Sequence, residues 1–139
     1  MNNVVRFPYT TWRTRPDDPH LRPVVPLLLS SRIKGIETQA LVDSGSDANV
    51  LPQSIGIALG LRWSSFPHRQ GIGGAILTGE SRVVPLQIQI EGLPSVLLNF
   101  VWVEDDKPPL ILGTASFFFE FDICFFRSRG YFEISPKQL

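Results

Sequence analysis

The segment with most chemical content runs Ala40-Leu41-Val42-Asp43-Ser44-Gly45-Ser46-Asp47-Ala48-Asn49-Val50-Leu51. An apolar run delivers a carboxylate into a tight turn, and the chain then becomes apolar again. A carboxylate at the end of a buried strand is costly unless it is hydrogen-bonded or does chemistry. Gly45 lets backbone approach Asp43 closely, and Ser44 and Ser46 bring hydroxyls that can fix it. The bland alternative is an Asx-turn in which Asp43 only closes a loop. A serine hydrolase built on Ser44 or Ser46 with His68 would need a nucleophile, a base and an orienter. No Gly-x-Ser-x-Gly elbow surrounds either serine. A second segment, Gly71-Ile72-Gly73-Gly74, lacks the third glycine of a dinucleotide fingerprint and leads into strand-like rather than helical sequence.

The elements that must position these residues read as strands. Val24–Ser30 is an apolar run, Lys34-Gly35 a turn, and Ile36–Val42 a returning strand that ends on Asp43. Pro52–Leu61 fits a short helix with Pro52 in its first turn and Gly60 near its end, although Gly56 weakens it. Residues 70–80 are glycine-rich. In Val83–Ile90, Leu86, Ile88 and Ile90 share one face, and Pro85 predicts an edge or a bulge. Val96–Val103 is a further strand. Leu110–Gly113 is a buried strand stopping at glycine, followed by one or two helical turns over Thr114–Phe119 that Thr114 is placed to cap. Ile123–Phe126 and Tyr131–Ile134 flank a hairpin turn at Arg127-Ser128-Arg129-Gly130. Many short strands with close turns predict an all-β (mainly β) domain, a small barrel or closed sheet, over residues 23–139. Residues 1–22, with three prolines, four arginines and no periodicity, read as an extended N-terminal arm.

Composition bounds the function. The 139 residues fit one domain, and 43% hydrophobic content with ten Phe and three Trp excludes disorder. Thirteen basic residues balance thirteen acidic ones, so no electrostatic case exists for nucleic acid or an anionic membrane. No apolar stretch is long enough for a transmembrane helix, and the N-terminus lacks the apolar region of a secretory signal. The lone Cys124 cannot form an internal disulfide, which is compatible with a cytoplasmic location. His20, His68 and Cys124 have no metal-ligand spacing. No metal or cofactor is expected.

Three pieces occur in order: Asp43-Ser44-Gly45 between apolar residues, the glycine-rich Gly71-Ile72-Gly73-Gly74 about thirty residues on, and Ile111-Leu112-Gly113 about seventy residues after the aspartate. In this order and spacing the chain resembles the retropepsin-like aspartic proteases over roughly residues 24–136. The segment Gly71–Ile90 and the ending after Gly113 look closest to the cellular branch, which includes the DNA-damage-inducible type. The resemblance implies a retropepsin-like barrel with one or two short helices, working as a twofold homodimer on an extended polypeptide. It makes Asp43 the catalytic aspartate. Ser44 would bond across the dimer axis, Gly45 would offer backbone near the substrate, and Ser46 would donate to the outer oxygen of Asp43. Asp47 would bind substrate backbone, Val50 and Ile111 would line apolar subsites, and Ile72, Gly73, Gly74 and Ala75 would lie at or near the tip of a covering flap. Ile111-Leu112-Gly113 would support the catalytic loop. Two departures stand out: Thr114 replaces the arginine that retroviral enzymes pair with the counterpart of Asp47, and the flap lacks the tyrosine of pepsin-like enzymes.

Aspartic-protease chemistry needs two carboxyl groups in one site, one protonated and one ionised. This chain has a single Asp-Ser-Gly, so the second half-site is expected from another copy across a twofold axis. The aromatic hairpin Phe121–Ile134 is a candidate for part of that contact, or ordinary core. The rival expectation is a non-catalytic peptide-binding or dimerisation module on the same fold.

Overall fold

The protein is described by a computed structural model that covers residues 3–11, 20–69 and 80–138. Its strands are β1 (Val5–Pro8), β2 (Thr10–Thr11), β3 (Leu21–Arg22), β4 (Val24–Ser30), β5 (Gly35–Val42), β6 (Val50–Leu51), β7 (His68–Arg69), β8 (Ser81–Gln89), β9 (Val96–Val103), β10 (Ile111–Leu112), β11 (Phe121–Phe126) and β12 (Tyr131–Pro136). Two short helices, α1 (Gln53–Ala58) and α2 (Phe117–Glu120), complete it, with single 3-10 turns at Trp63–Ser65 and Arg127–Arg129.

Alternation builds the main sheet. In β4 Val25, Leu27 and Leu29 point inward, and in β8 Val84, Leu86 and Ile88 do the same. Facing them are Leu98, Phe100 and Trp102 of β9. The strand order β4-β5-β10-β6-β9-β8 closes on itself because β4 also pairs with β8, Leu28 opposite Gln89 and Ser30 opposite Gln87. Closure of these six strands removes the edges that an open sheet would leave unpaired.

Pro85 shows how local chemistry is fitted to that ring. The Val83 N–H donates outward to Pro67 O at 3.2 Å, so Pro85, two residues on, turns its ring nitrogen the same way. On that side β7 reaches only Ser81 and Arg82, and β4 only Gln87 to Gln89. The missing donor therefore faces a gap and costs no ladder bond, and the expected edge character is local to this notch.

A second sheet, ordered β1-β12-β11, lies against the same core through Phe121, Phe132 and Ile134. Its first strand comes from the segment read as an arm: Val5 opposes Ile134 and Phe7 opposes Phe132, with the two rings stacked at 5.4 Å. Thr10–Thr11 of the same segment pairs with Leu21–Arg22. On the outer face Arg6 bonds Glu133 at 3.0 Å and lies 3.9 Å over the Tyr131 ring. The hairpin turn forms at Arg127–Arg129, with Gly130 taking the left-handed conformation at φ 79°.

Two helix expectations are adjusted. Thr114 does not cap α2: Ser116 holds the N-cap position, without a side-chain cap bond. Thr114 is occupied elsewhere, its hydroxyl donating to Ser46 O at 3.2 Å. Gly56, unfavourable by propensity, is required by packing in α1. A Cβ there would fall inside the buried indole of Trp102, whose Nε1–H reaches Gln53 O at 3.4 Å. Trp63 and Phe66 pack edge-on against that ring at 4.9 and 6.3 Å. Overpacking of this kind costs about 1–3 kcal/mol, against the roughly 1 kcal/mol that helix propensity returns on replacing glycine with alanine. Gly56→Ala is therefore expected to be destabilised overall, seen as a lower urea midpoint; an unchanged or raised midpoint would refute the packing account.

Candidate active site

Asp43 begins the loop that joins β5 to β6, and β10 lies between those two strands. Ile111 and Leu112 run parallel to Leu41 and Val42 on one side, while Ile111 opposes Val50 on the other. The strand entering the loop and the strand leaving it are thus held apart by a third strand about seventy residues later in the chain.

Backbone bonds then sew the loop to the end of β10. Asp43 N–H donates to Leu112 O at 3.0 Å, Thr114 N–H to Ser46 O at 2.8 Å, and Ala115 N–H to Asp47 O at 2.7 Å. The contact is so close that a Cβ on Gly113 would overlap Ala48 O and lie 2.7 Å from Ser46 O. Only glycine fits at this crossing.

Asn49 is the residue that sequence reasoning missed. It is 1% exposed, and both ends of its amide and its backbone carbonyl are bonded. Its Oδ1 accepts from Gly113 N–H at 2.8 Å, its Nδ2 donates to Asn99 O at 3.1 Å, and its backbone oxygen accepts from Val101 N–H at 2.8 Å. The one available signal was an amide set between Ala48 and the apolar Val50-Leu51.

The half-buried Asp43 accepts from Gly45 N–H at Oδ1, 2.9 Å, and its backbone oxygen accepts from Ser46 N–H at 3.2 Å. This Asx-type turn presents the carboxylate rather than hiding it. Ser44 is exposed beside it. The expected Ser46 donation to Asp43 is corrected: the Ser46 hydroxyl donates to Ala48 O at 2.8 Å, and its one hydrogen is spent closing the loop. Asp47 is exposed, as the exchange of arginine for Thr114 leads one to expect. Val50 is 1% exposed and packs with Val101 and Val103 in a small apolar cluster of its own, while Ile111 at its margin stays half-open. Leu112 is fully buried in the main core. Ile72, Gly73, Gly74 and Ala75 lie outside the described residues.

A concavity of about 400 Å³ opens at Asp43, lined by Ser44, Val42, Tyr9, Arg22 and Phe125 among others. Tyr9 and Arg22 come from the segment read as an arm, and nothing in their spacing announced them. Burial pushes the Tyr9 phenol above its ordinary range, and the Arg127 guanidinium, 5.2 Å over its ring, partly opposes this. Tyr9 is thus a neutral donor at acidic and neutral pH. His68 faces Glu80 at 3.6 Å. Among the described residues no three His, Cys, Asp or Glu side chains come together as metal ligands.

The Asn49 bonds predict a measurable stiffness. Asn49→Ala leaves the buried Gly113 N–H without its acceptor and should cost about 1–3 kcal/mol in urea unfolding. Asn99→Ala, which removes an exposed side chain but keeps the carbonyl that Asn49 uses, should stay within about 0.5 kcal/mol of the parent. Equal losses in the two variants would rule out the clamp.

No protein-family model matches the chain, and no curated protein sequence matches it. Solved structures do. A retropepsin-like aspartic protease from Rickettsia conorii superposes with a TM-score of 0.69 at 12% identity, covering 98% of this chain and 94% of that one. The EIAV protease bound to the inhibitor HBY-793 gives 0.46 at 22% identity over 73% of this chain and 88% of that one. The retroviral protease-like domain of Ddi1 from Leishmania major gives 0.49 at 20% identity over 68% of this chain and 73% of that one. With a closed barrel, a loop carrying Asp43 and a later strand threaded between its two arms, this chain has the retropepsin-like fold.

Proposed function

We propose that this chain is an aspartic endopeptidase that hydrolyses peptide bonds as a homodimer, with one Asp43 from each subunit. The observation that carries this reading is the Asp43 loop itself. A carboxylate is presented at the mouth of a concavity by a turn locked through Asn49 and Gly113, on a fold shared with a retropepsin-like aspartic protease.

In the dimer, one Asp43 carboxyl is protonated and polarises the scissile carbonyl. The other is ionised and takes a proton from the attacking water. Water adds to the carbonyl carbon, the gem-diol collapses, and the amine leaves with a proton from the pair; no covalent enzyme intermediate forms. The substrate lies extended and pairs through its backbone as an added strand. Ser44 and Gly45 border the reacting atoms, Asp47 offers an acceptor to substrate N–H groups, and Ile111 contributes an apolar wall beside Val50. No metal or cofactor takes part. Among the described residues no helix is long and apolar enough to cross a membrane, and with an exposed, unpaired Cys124 we assign the enzyme to the cytoplasm.

Incubation with a peptide library from acidic to neutral pH tests the reading. Asp43→Asn should fold normally yet lose at least about 100-fold in cleavage rate, since it removes both the acid and the base. Equal cleavage by parent and variant would mean a contaminant, and no cleavage by the parent at any pH would favour a peptide-binding module. Ser46→Ala should give a rate-against-pH profile superimposable on the parent's, because the Ser46 hydroxyl serves Ala48 O and not the carboxylate. A displaced profile would show that Ser46 reaches Asp43 during turnover.

A further inference from the structure

The stretch of β8 between β7 and β4 is lopsided in its hydrogen bonding. Val83 and Pro85 turn their backbone groups away from β9, because their partners there, Val101 and Asn99, are bonded on the far side by Asn49. Gln87 pairs with Ser30 and closes one end of the stretch. At the other end Val83 N–H donates to Pro67 O at 3.2 Å, but Pro67 has no N–H to return to Val83 O. Pro85 likewise offers a carbonyl and no donor. Among the described residues no hydrogen bond reaches either oxygen. The notch is therefore an edge of two acceptors, about 7 Å apart along the strand, with no donor between them.

A cavity of about 590 Å³ opens at this notch, and Ile33, Leu61, Phe66 and Pro67 join Val83 and Pro85 in lining it. Leu61 and Phe66 are held in place by packing on the main core, and Ile33 stands 74% exposed at the β4–β5 turn. Arg32 is the one charged residue of the lining among the described residues. It is exposed and has neither an ion pair nor a hydrogen bond with any of them. No described carboxylate lines the cavity, so a cation would find no counter-charge there.

We propose that the notch binds the carboxyl end of a peptide whose last side chain is apolar. The last N–H donates to Pro85 O, the side chain fills the apolar cavity, and the terminal carboxylate pairs with Arg32. A residue inside a longer strand fits worse. It would turn a C=O as well as an N–H toward β8, and Pro85 has no donor for that C=O. At a chain end the same carbon belongs to a carboxylate that rotates away to the guanidinium. Three complementarities thus set the occupant: an N–H for an acceptor-only edge, an apolar group for an apolar wall, and an anion for an unpaired cation. An amino-terminal end would bring a second positive charge to Arg32, and a fatty acid would leave the carbonyls unused. The site shares no lining residue with the Asp43 concavity and does not depend on the two-aspartate reading.

Calorimetry on the Asp43→Asn protein, which spares the probe from cleavage, tests this with N-acetyl-leucyl-phenylalanine. The C-terminal amide of the same peptide should bind about fivefold more weakly, the upper end of what an exposed ion pair contributes. The ester analogue, with oxygen in place of the last N–H, should also bind more weakly, and aspartate in place of phenylalanine should abolish binding. Adding Arg32→Gln should make acid and amide bind equally, with an unchanged urea midpoint, because Arg32 holds nothing in the fold. Backbone amide resonances of Ile33, Leu61 and Phe66 should move on titration while those of Gly45 and Thr114 stay in place. Equal affinity for acid and amide, an Arg32→Gln protein that keeps the preference, shifts at the Asp43 loop instead, or no binding at millimolar probe would each overturn the site. Phenylpropanoate binding as well as the dipeptide would overturn the peptide end in favour of a simple apolar acid. Since every arm carries Asp43→Asn, failure here leaves the protease reading intact, and a chain that cleaves nothing leaves this site intact.

Discussion

Everything at the site depends on one crossing, where Gly113 passes beneath the loop that begins at Asp43. The loop's own carbonyls, at Ser46 and Ala48, occupy the space a side chain would need. The approach is held by hydrogen bonds rather than by apolar packing alone: Thr114 N–H and hydroxyl converge on Ser46 O, and Asn49 binds the Gly113 N–H from the other side. Buried backbone groups must be paired somewhere. Here they are paired with each other across about seventy residues of sequence, so the geometry of the loop is set by the whole barrel and not by its own short sequence.

That arrangement separates stiffness from chemistry. Asn49, Gly113, Leu112 and the Ser46 hydroxyl are spent on internal bonds or packing. Asp43, Ser44 and Asp47 retain side chains that face outward or partly outward. A preorganised polar site is worth having only if its groups do not relax toward one another, and the closed bonding of the supporting residues prevents that. The Ser46 result follows from the same logic. A hydroxyl has one hydrogen, and giving it to Ala48 O closes the loop at the expense of a direct bond to the carboxylate.

Much of this was legible in the sequence, for physical reasons. Period-two runs such as Val83–Ile90 carry their burial pattern openly, and Leu86, Ile88 and Ile90 are indeed the buried face. The hairpin turn was equally plain, because Gly130 must accept a positive φ. The retropepsin-like fold could be inferred from the order of three short motifs. Long-range pairing was less readable. Asn49 looks like a loop residue until Gly113 is placed beside it. Thr114 looks like a helix cap until Ser46 O competes for its hydroxyl. Gly56 looks like a helix breaker until the Trp102 ring fills the space above it. Tyr9 and Arg22 look like parts of an arm because nothing local says that Thr10–Thr11 and Leu21–Arg22 pair and bring both residues to Asp43. In each case a tertiary neighbour overrode the local preference.

The treatment of strand edges ties the fold to its function. A small β domain must close, cover or blunt every edge, because open edges invite pairing with other chains. The barrel closes through β4 and β8, and among the described residues the stretch of β8 between β7 and β4 is occupied by Pro85, which has no donor to offer. The hairpin's β12 edge is covered by β1 and fastened outside by Arg6 and Glu133. β11 receives none of these devices among the described residues. It has no proline and no covering strand, and its edge aromatic, Phe125, reaches the Asp43 concavity. Among the described residues β1 and β11 are the two outer strands of that sheet, and of the two it is β11 that contributes a side chain, Phe125, to the Asp43 concavity.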